Sequence, residues 1–107
     1  MLFKLLKKNR NSKDIDYNLA MNILNENDGC ILLDVRSTQE YKENNLKGSI
    51  NIPLYELKKK AMEILKDKDG AIIVYCQSGG RSKKAVEILN KMGYKNLYNI
   101  KGGLDNI

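Results

Sequence analysis

A chain of 107 residues is long enough for one domain with a modest core and too short for two. It carries a formal net charge of +6, two cysteines and no histidine, which excludes Cys–His and Ser–His nucleophilic pairs and removes the commonest metal ligand. Cys30 and Cys76 match no zinc-binding spacing, no segment approaches the ~20 apolar residues of a membrane span, and lysines scattered without aromatic neighbours suit a solvated basic surface better than a nucleic-acid site.

Met1 to Lys8 mixes charge into its apolar residues and lacks the continuous apolar region and small-residue cleavage site of a secretory signal. The expectation is a cytoplasmic protein in which residues 1–14 form a basic extension or the region of a first strand. A single proline and few Gly/Ser clusters leave no linker, and no repeat is present.

Ile15 suggests a short edge strand, followed by Asp16 as the cap of a helix over 17–27. Its apolar stripe is Leu19, Ile23 and Leu24, or Ala20, Ile23 and Leu24. Cys30-Ile31-Leu32-Leu33 is a continuous apolar run, as in a parallel strand buried on both faces. Ser37 caps a short helix over 38–43, and 50–52 form a brief strand closed by Pro53. Leu54, Leu57, Ala61, Ile64 and Leu65 recur at helical spacing, predicting a helix over 54–66. Asp69-Gly70 turns the chain into a central strand, 71–75. Ala85, Ile88, Leu89 and Met92 then face one side of a helix ended by Gly93, and 97–100 form a last strand before the Gly102-Gly103 turn. Strands alternating with helices at short spacing predict an α/β fold, a mostly parallel sheet of about five strands covered on both faces.

Cys76 is the candidate nucleophile. It ends the central strand, and Gln77-Ser78-Gly79-Gly80-Arg81-Ser82 lead from it into a helix. Glycines at 79 and 80 permit positive φ, so successive N–H groups can turn inward and make an anion-binding concavity. With a helix beginning near Ser82, its capping residue on this reading, concavity and dipole share a focus at the sulfur. Arg81, the last loop residue, either contacts an anionic substrate or ties the loop down through a carboxylate. As free cysteines often are small core residues, the alternative is a structural Cys76, against which the adjoining Gly-Gly-Arg-Ser turn weighs. Cys30 starts one strand and Cys76 ends another, so parallel strands put the thiols at opposite sheet edges, beyond the ~7 Å between Cα atoms that a disulfide requires.

Cys76-Gln-Ser-Gly-Gly-Arg81-Ser82 resembles the active-site loop of single-domain rhodanese-like sulfurtransferases, often Cys-x-x-Gly-x-Arg-Ser. Three further segments resemble that family in order: Leu32-Leu33-Asp34-Val35-Arg36 with Glu40-Tyr41, Gly48-Ser49-Ile50-Asn51-Ile52-Pro53-Leu54, and Leu97 through Gly103-Leu104. The likeness spans about residues 15–104 and implies one rhodanese-like domain over 1–107. It implies a small anionic sulfur donor, thiosulfate-like or a persulfide, whose sulfane sulfur Cys76 carries to a thiol, cyanide or an acceptor protein. Gln77 to Ser82 would bind the donor, with no metal or organic cofactor, no nucleic acid and no membrane partner; a monomer is expected. Asn44-Asn45 stand where many members have Gly-His, and the tryptophan frequent after the Gly-Gly turn is missing, which implies a reduced substrate wall.

Asp34 and Arg36 follow the first long strand at the same sheet edge as Cys76. Asp34 is expected to support the architecture under the loop. Arg36 either meets incoming anions or forms a structural pair with Asp34, with a bridge from Arg36 to Glu40 at helical spacing also open. Competing readings are a sulfur-carrier or binding module acting with a partner protein, and a cysteine phosphatase or arsenate reductase. The last two resemble one another in placing five residues between Cys and Arg, where this chain has four.

Overall fold

The structure, a computed structural model, describes residues 12–107; the expectations for the basic N-terminal extension fall largely on residues 1–11, outside that range. The elements run β1 (Ser12–Ile15), α1 (Tyr17–Glu26), β2 (Ile31–Asp34), α2 (Thr38–Glu43), β3 (Ser49–Asn51), α3 (Leu54–Ile64), β4 (Ile72–Tyr75), α4 (Gly80–Lys91) and β5 (Leu97–Ile100), with a closing 3-10 turn at Gly103–Asn106. All five strands are parallel, in the order β1-β5-β4-β2-β3.

The apolar runs in β2 and β4 have a direct cause. Ile72, Val74 and Cys76 join one core cluster with Leu57, Ala61, Ala85 and Leu89 from α3 and α4. Ile73 and Tyr75 join a second cluster with Ala20 from α1. Side chains alternate across a strand, so a strand with helices on both faces must be apolar at every position. On α1, Ala20 is fully buried and Leu19 is 47% exposed, so the stripe runs through Ala20, Ile23 and Leu24. Cys30 packs partly buried against the second cluster and precedes β2 instead of opening it.

Local caps set the boundaries near the site. Asp16 Oδ1 accepts from Leu19 N at 2.8 Å. Ser37 and Glu40 form a reciprocal capping box that starts α2. Asn51 Nδ2 donates to the carbonyls of Asp34 and Arg36, both at 3.0 Å, and so staples the turn after β2. Among the described residues no helix is long and apolar enough to cross a membrane.

The chain leaves β2 toward β3 on one side and leaves β4 toward β5 on the other. Outgoing connections therefore diverge between β2 and β4, where open α/β sheets place their ligand crevice. Asp34 pairs with Tyr75 in that register, so the turn carrying Arg36 and the loop carrying Cys76 emerge side by side.

Candidate active site

Cys76 leaves the end of β4 and is 1% exposed, at the floor of a cup built by the next six residues. Gly79 N donates to Cys76 Sγ at 3.0 Å and Ser82 N donates at 3.3 Å. Ser82 Oγ stands 3.5 Å from the sulfur and donates to the Gly79 carbonyl at 3.1 Å. Burial pushes the Cys76 thiol up, but the Ser82 hydroxyl, the Ser82 and Gly79 N–H groups and the Ser78 N–H outweigh it. The thiol lies below its ordinary value. Hydrogen bonds to the ionised form favour it, and so does the positive end of α4.

The loop differs from the sequence expectation in its last turn. The helix starts at Gly80, with Gly79 as its N-cap at φ +107° and no side-chain cap. Ser82 is thus not the cap; it lies inside the first helical turn, and so does Arg81. Of the two loop glycines only Gly79 uses the left-handed region. That single reversal aims the Gly79 amide at the sulfur and lets the helix begin two residues early, which brings the Ser82 amide within reach as well.

Arg36 and Arg81 are both tied to carboxylates. Arg81 Nη1 and Nη2 reach Glu40 Oε1 and Oε2 at 2.6 and 3.0 Å, a two-pronged pair that joins the loop to α2. Glu40 falls to about 2, chiefly because it accepts from Arg81, with Ser37 adding to the effect against the opposing pull of burial. The structural pairing of Arg36 with Asp34 is formed, and the alternative bridge from Arg36 to Glu40 is not. Arg36, 1% exposed, forks Asp34, which is fully buried, through Nε and Nη2 at 2.9 to 3.2 Å. Its Nη2 also donates to the Asn44 carbonyl at 2.6 Å and its Nη1 to Gln77 Oε1 at 3.4 Å. The Arg36 guanidinium is thus committed to Asp34 and the Asn44 carbonyl and reaches the loop through Gln77. A turn of residue spacing predicts neighbours on a helix, but Arg36 precedes α2 and its side chain follows the sheet edge.

The least legible parts of the site come from the far end of the chain. Leu104 N donates to the Cys76 carbonyl at 3.0 Å and Asp105 N to that of Gln77 at 2.9 Å. Asp105 Oδ1 accepts from Gln77 Nε2 at 2.7 Å. A Cβ on Gly103 would fall 2.4 Å from the Cys76 carbonyl oxygen, so the Gly-Gly turn lies directly against the back of the loop. The turn itself was visible in the sequence; its role as a brace needs the contact between residues far apart along the chain.

A cavity of about 380 Å³ lies elsewhere, between β1, β5 and α4, lined by residues such as Asp14, Lys83, Glu87 and Asn99. It does not include Cys76. The cup, where a thiol of lowered pKa meets convergent donors, is the candidate site. Among the described residues no group of His, Cys, Asp and Glu could hold a metal ion.

A parallel five-stranded α/β sheet with a cysteine cupped between its central strand and the following helix defines the rhodanese class of fold. Residues 17–107 match the rhodanese-like domain, and the chain belongs to that family. It is 41% identical over 75 residues to the thiosulfate sulfurtransferase PspE of Escherichia coli, covering 70% of this chain and 71% of that protein. A rhodanese with anions from E. coli superposes with a TM-score of 0.68 at 39% identity, covering 74% of this chain and 92% of that one. The reduced Bacillus anthracis CoADR-RHD superposes with a TM-score of 0.75 at 34% identity; it covers 87% of this chain, which spans 16% of its length.

Proposed function

We propose that the chain is a sulfurtransferase with Cys76 as its nucleophile. The Cys76 thiolate attacks the sulfane sulfur of a thiosulfate-like or persulfide donor. A new S–S bond forms, the donor's S–S bond breaks, and its electron pair leaves on sulfite or on a thiolate. An acceptor thiolate or cyanide then attacks the outer sulfur of the Cys76 persulfide and releases the Cys76 thiolate. The observation that carries this reading is the convergence of the Gly79 and Ser82 amides on Sγ. The same donors that hold the thiolate can hold a persulfide sulfur as charge moves outward by one bond. Kinship with PspE, itself a thiosulfate sulfurtransferase, supports the donor class.

Phosphoryl chemistry is disfavoured by the geometry. A guanidinium commonly stabilises the charge on its equatorial oxygens, whereas Arg81 is engaged by both prongs with Glu40. Incubation with thiosulfate or an organic persulfide, followed by mass measurement, should show one sulfur gained on Cys76 and none in Cys76→Ala. Aryl-phosphate turnover that disappears in Cys76→Ser, without sulfur loading, would overturn the assignment. If sulfur loads but small acceptors do not discharge it, the chain acts as a carrier for a protein acceptor.

A further inference from the structure

Arg81 is the single charged side chain between Cys76 and Ser82, and its guanidinium already has a partner in Glu40. With Glu40 held at about 2 by that contact, the pair stays ionised at any ordinary working pH. Arg36, which touches the loop through Gln77 Oε1, is forked to Asp34. Asp105 accepts from the other end of the Gln77 amide. The charged side chains bonded to the loop, or one bond behind it, are thus two guanidiniums and three carboxylates. What meets an incoming donor at Sγ is a set of amide dipoles, with no unpaired full positive charge among these residues.

Two classes of donor place different demands on such a cup. Thiosulfate is a dianion: attack by the Cys76 thiolate forms Cys76–S–S⁻ and expels sulfite as a dianion. Three negative charges gather at the amides during that step. An organic persulfide R–S–SH is attacked at its terminal sulfur, forming Cys76–S–SH and releasing RS⁻. Here the proton travels with the transferred sulfur, and the charge at the cup stays near one. Repulsion between like charges at contact distance near a protein surface is large enough to choose between these routes.

We infer that Glu40 is a specificity-determining residue: by neutralising Arg81 it directs the site toward organic persulfides and away from thiosulfate. This inference rests on the sulfurtransferase reading above. The substitution that tests it is mild. Glutamine at position 40 keeps an Oε1 that can accept from Ser37 N and complete the capping box, while removing the charge that holds Arg81.

The test follows single-turnover loading of Cys76 by mass in the full chain, with thiosulfate and with glutathione persulfide as the two probes. Glu40→Gln should raise the thiosulfate-to-persulfide ratio of loading rate constants about tenfold, and Asp105→Asn should raise it about threefold. The double variant Glu40→Gln/Arg81→Gln should lose the gain, because the freed guanidinium is its source. A ratio within about twofold of the native chain in Glu40→Gln overturns the inference. Equal loss of loading from both donors in Glu40→Gln also overturns it, since Glu40 is then only a brace. Should Glu40→Gln not fold, Arg81→Gln decides: it leaves the Glu40 charge unpaired, so the ratio should fall about tenfold, and an unchanged ratio overturns the inference. If the native chain loads from neither donor, the sulfurtransferase reading itself fails, a result distinct from loading with an unchanged ratio.

Discussion

Cys30 and Cys76 flank neighbouring strands of the same sheet, yet their thiols are pushed in opposite directions. Cys30 sits immediately before β2 and Cys76 immediately after β4, two strands in register from Ile31–Ile72 to Asp34–Tyr75. Burial raises the Cys30 thiol, with nothing to oppose it. Burial raises Cys76 too, and the donors of Ser82, Gly79 and Ser78 reverse the outcome. The difference comes from sheet polarity. In a parallel sheet every strand ends at one edge, where the following helices present their N-termini, and begins at the other, where helices end in carbonyls. Cys76, after its strand, meets N–H groups; Cys30, before its strand, has only burial to shift it.

The sharpest way to break that comparison is to delete each thiol. Cys76→Ala should abolish sulfur loading, a loss of at least about a thousandfold in transfer rate. Cys30→Ala should leave a loading chain with a slightly loosened core. In the native chain iodoacetamide should modify Cys76 with a rate that rises at lower pH than the rate at Cys30. If the two titration profiles coincided, the amide ring would have no electrostatic effect.

Gly103→Ala should produce the next largest effect. A Cβ there would press 2.4 Å from the Cys76 carbonyl oxygen and 2.6 Å from that of Gln77, at a residue with φ +62°. Backbone atoms are at stake and cannot step aside, so about 2 kcal/mol or more of stability should go, with at least a tenfold loss of activity as the loop shifts. Gly80→Ala is the matched contrast. Its Cβ would meet nothing within 4 Å and its φ is not positive, so the melting temperature should move by the equivalent of about 0.5 kcal/mol or less.

How far the sequence revealed this site follows the same division between local and distant causes. The order of elements, the parallel sheet and the Cys76 loop were legible, because burial on both faces writes an apolar run and turns write glycine. Asp16 and Ser37 as caps were legible for the same local reason. The roles of Arg36 and Arg81 were legible only as alternatives. A pair with Asp34 was one reading of Arg36 and a carboxylate tie one reading of Arg81, but that Glu40 is the partner of Arg81 depends on how the turn after β2 lies beside α4. The cap was misplaced by three residues, at Ser82 instead of Gly79, because Gly79, by adopting φ +107°, starts the helix without any side-chain cap. The contact of Leu104 and Asp105 with the loop left no local signal.

Ser82→Ala tests the side-chain part of the ring against its backbone part. The variant keeps the Ser82 N–H, 3.3 Å from the sulfur, and loses the hydroxyl 3.5 Å away. In this structure the hydroxyl gives its one proton to the Gly79 carbonyl and serves the thiolate only by turning it to the sulfur, so the Cys76 alkylation midpoint should rise by about one unit at most, with a correspondingly modest slowing of loading at neutral pH. An unchanged midpoint would assign the lowered thiol to the backbone donors alone.

The smallest expected effect is a pH-dependent contribution to stability from Glu40. Its folded value of about 2 lies below the ordinary 4.5, so the folded chain binds the Glu40 proton more weakly than the unfolded chain does. The resulting stabilisation is complete above the unfolded value and disappears as pH falls through 4.5 toward 2. Because the Glu40 and Arg81 side chains are 32% and 40% exposed, solvent screening keeps the gain to roughly 1 kcal/mol or less. The melting-temperature gap between the native chain and Glu40→Gln should therefore be small near neutrality and close on acidification. A gap that widened as the pH fell would mean that the carboxylate destabilises the fold when ionised, and that Arg81 is held in place by contacts other than its pair with Glu40.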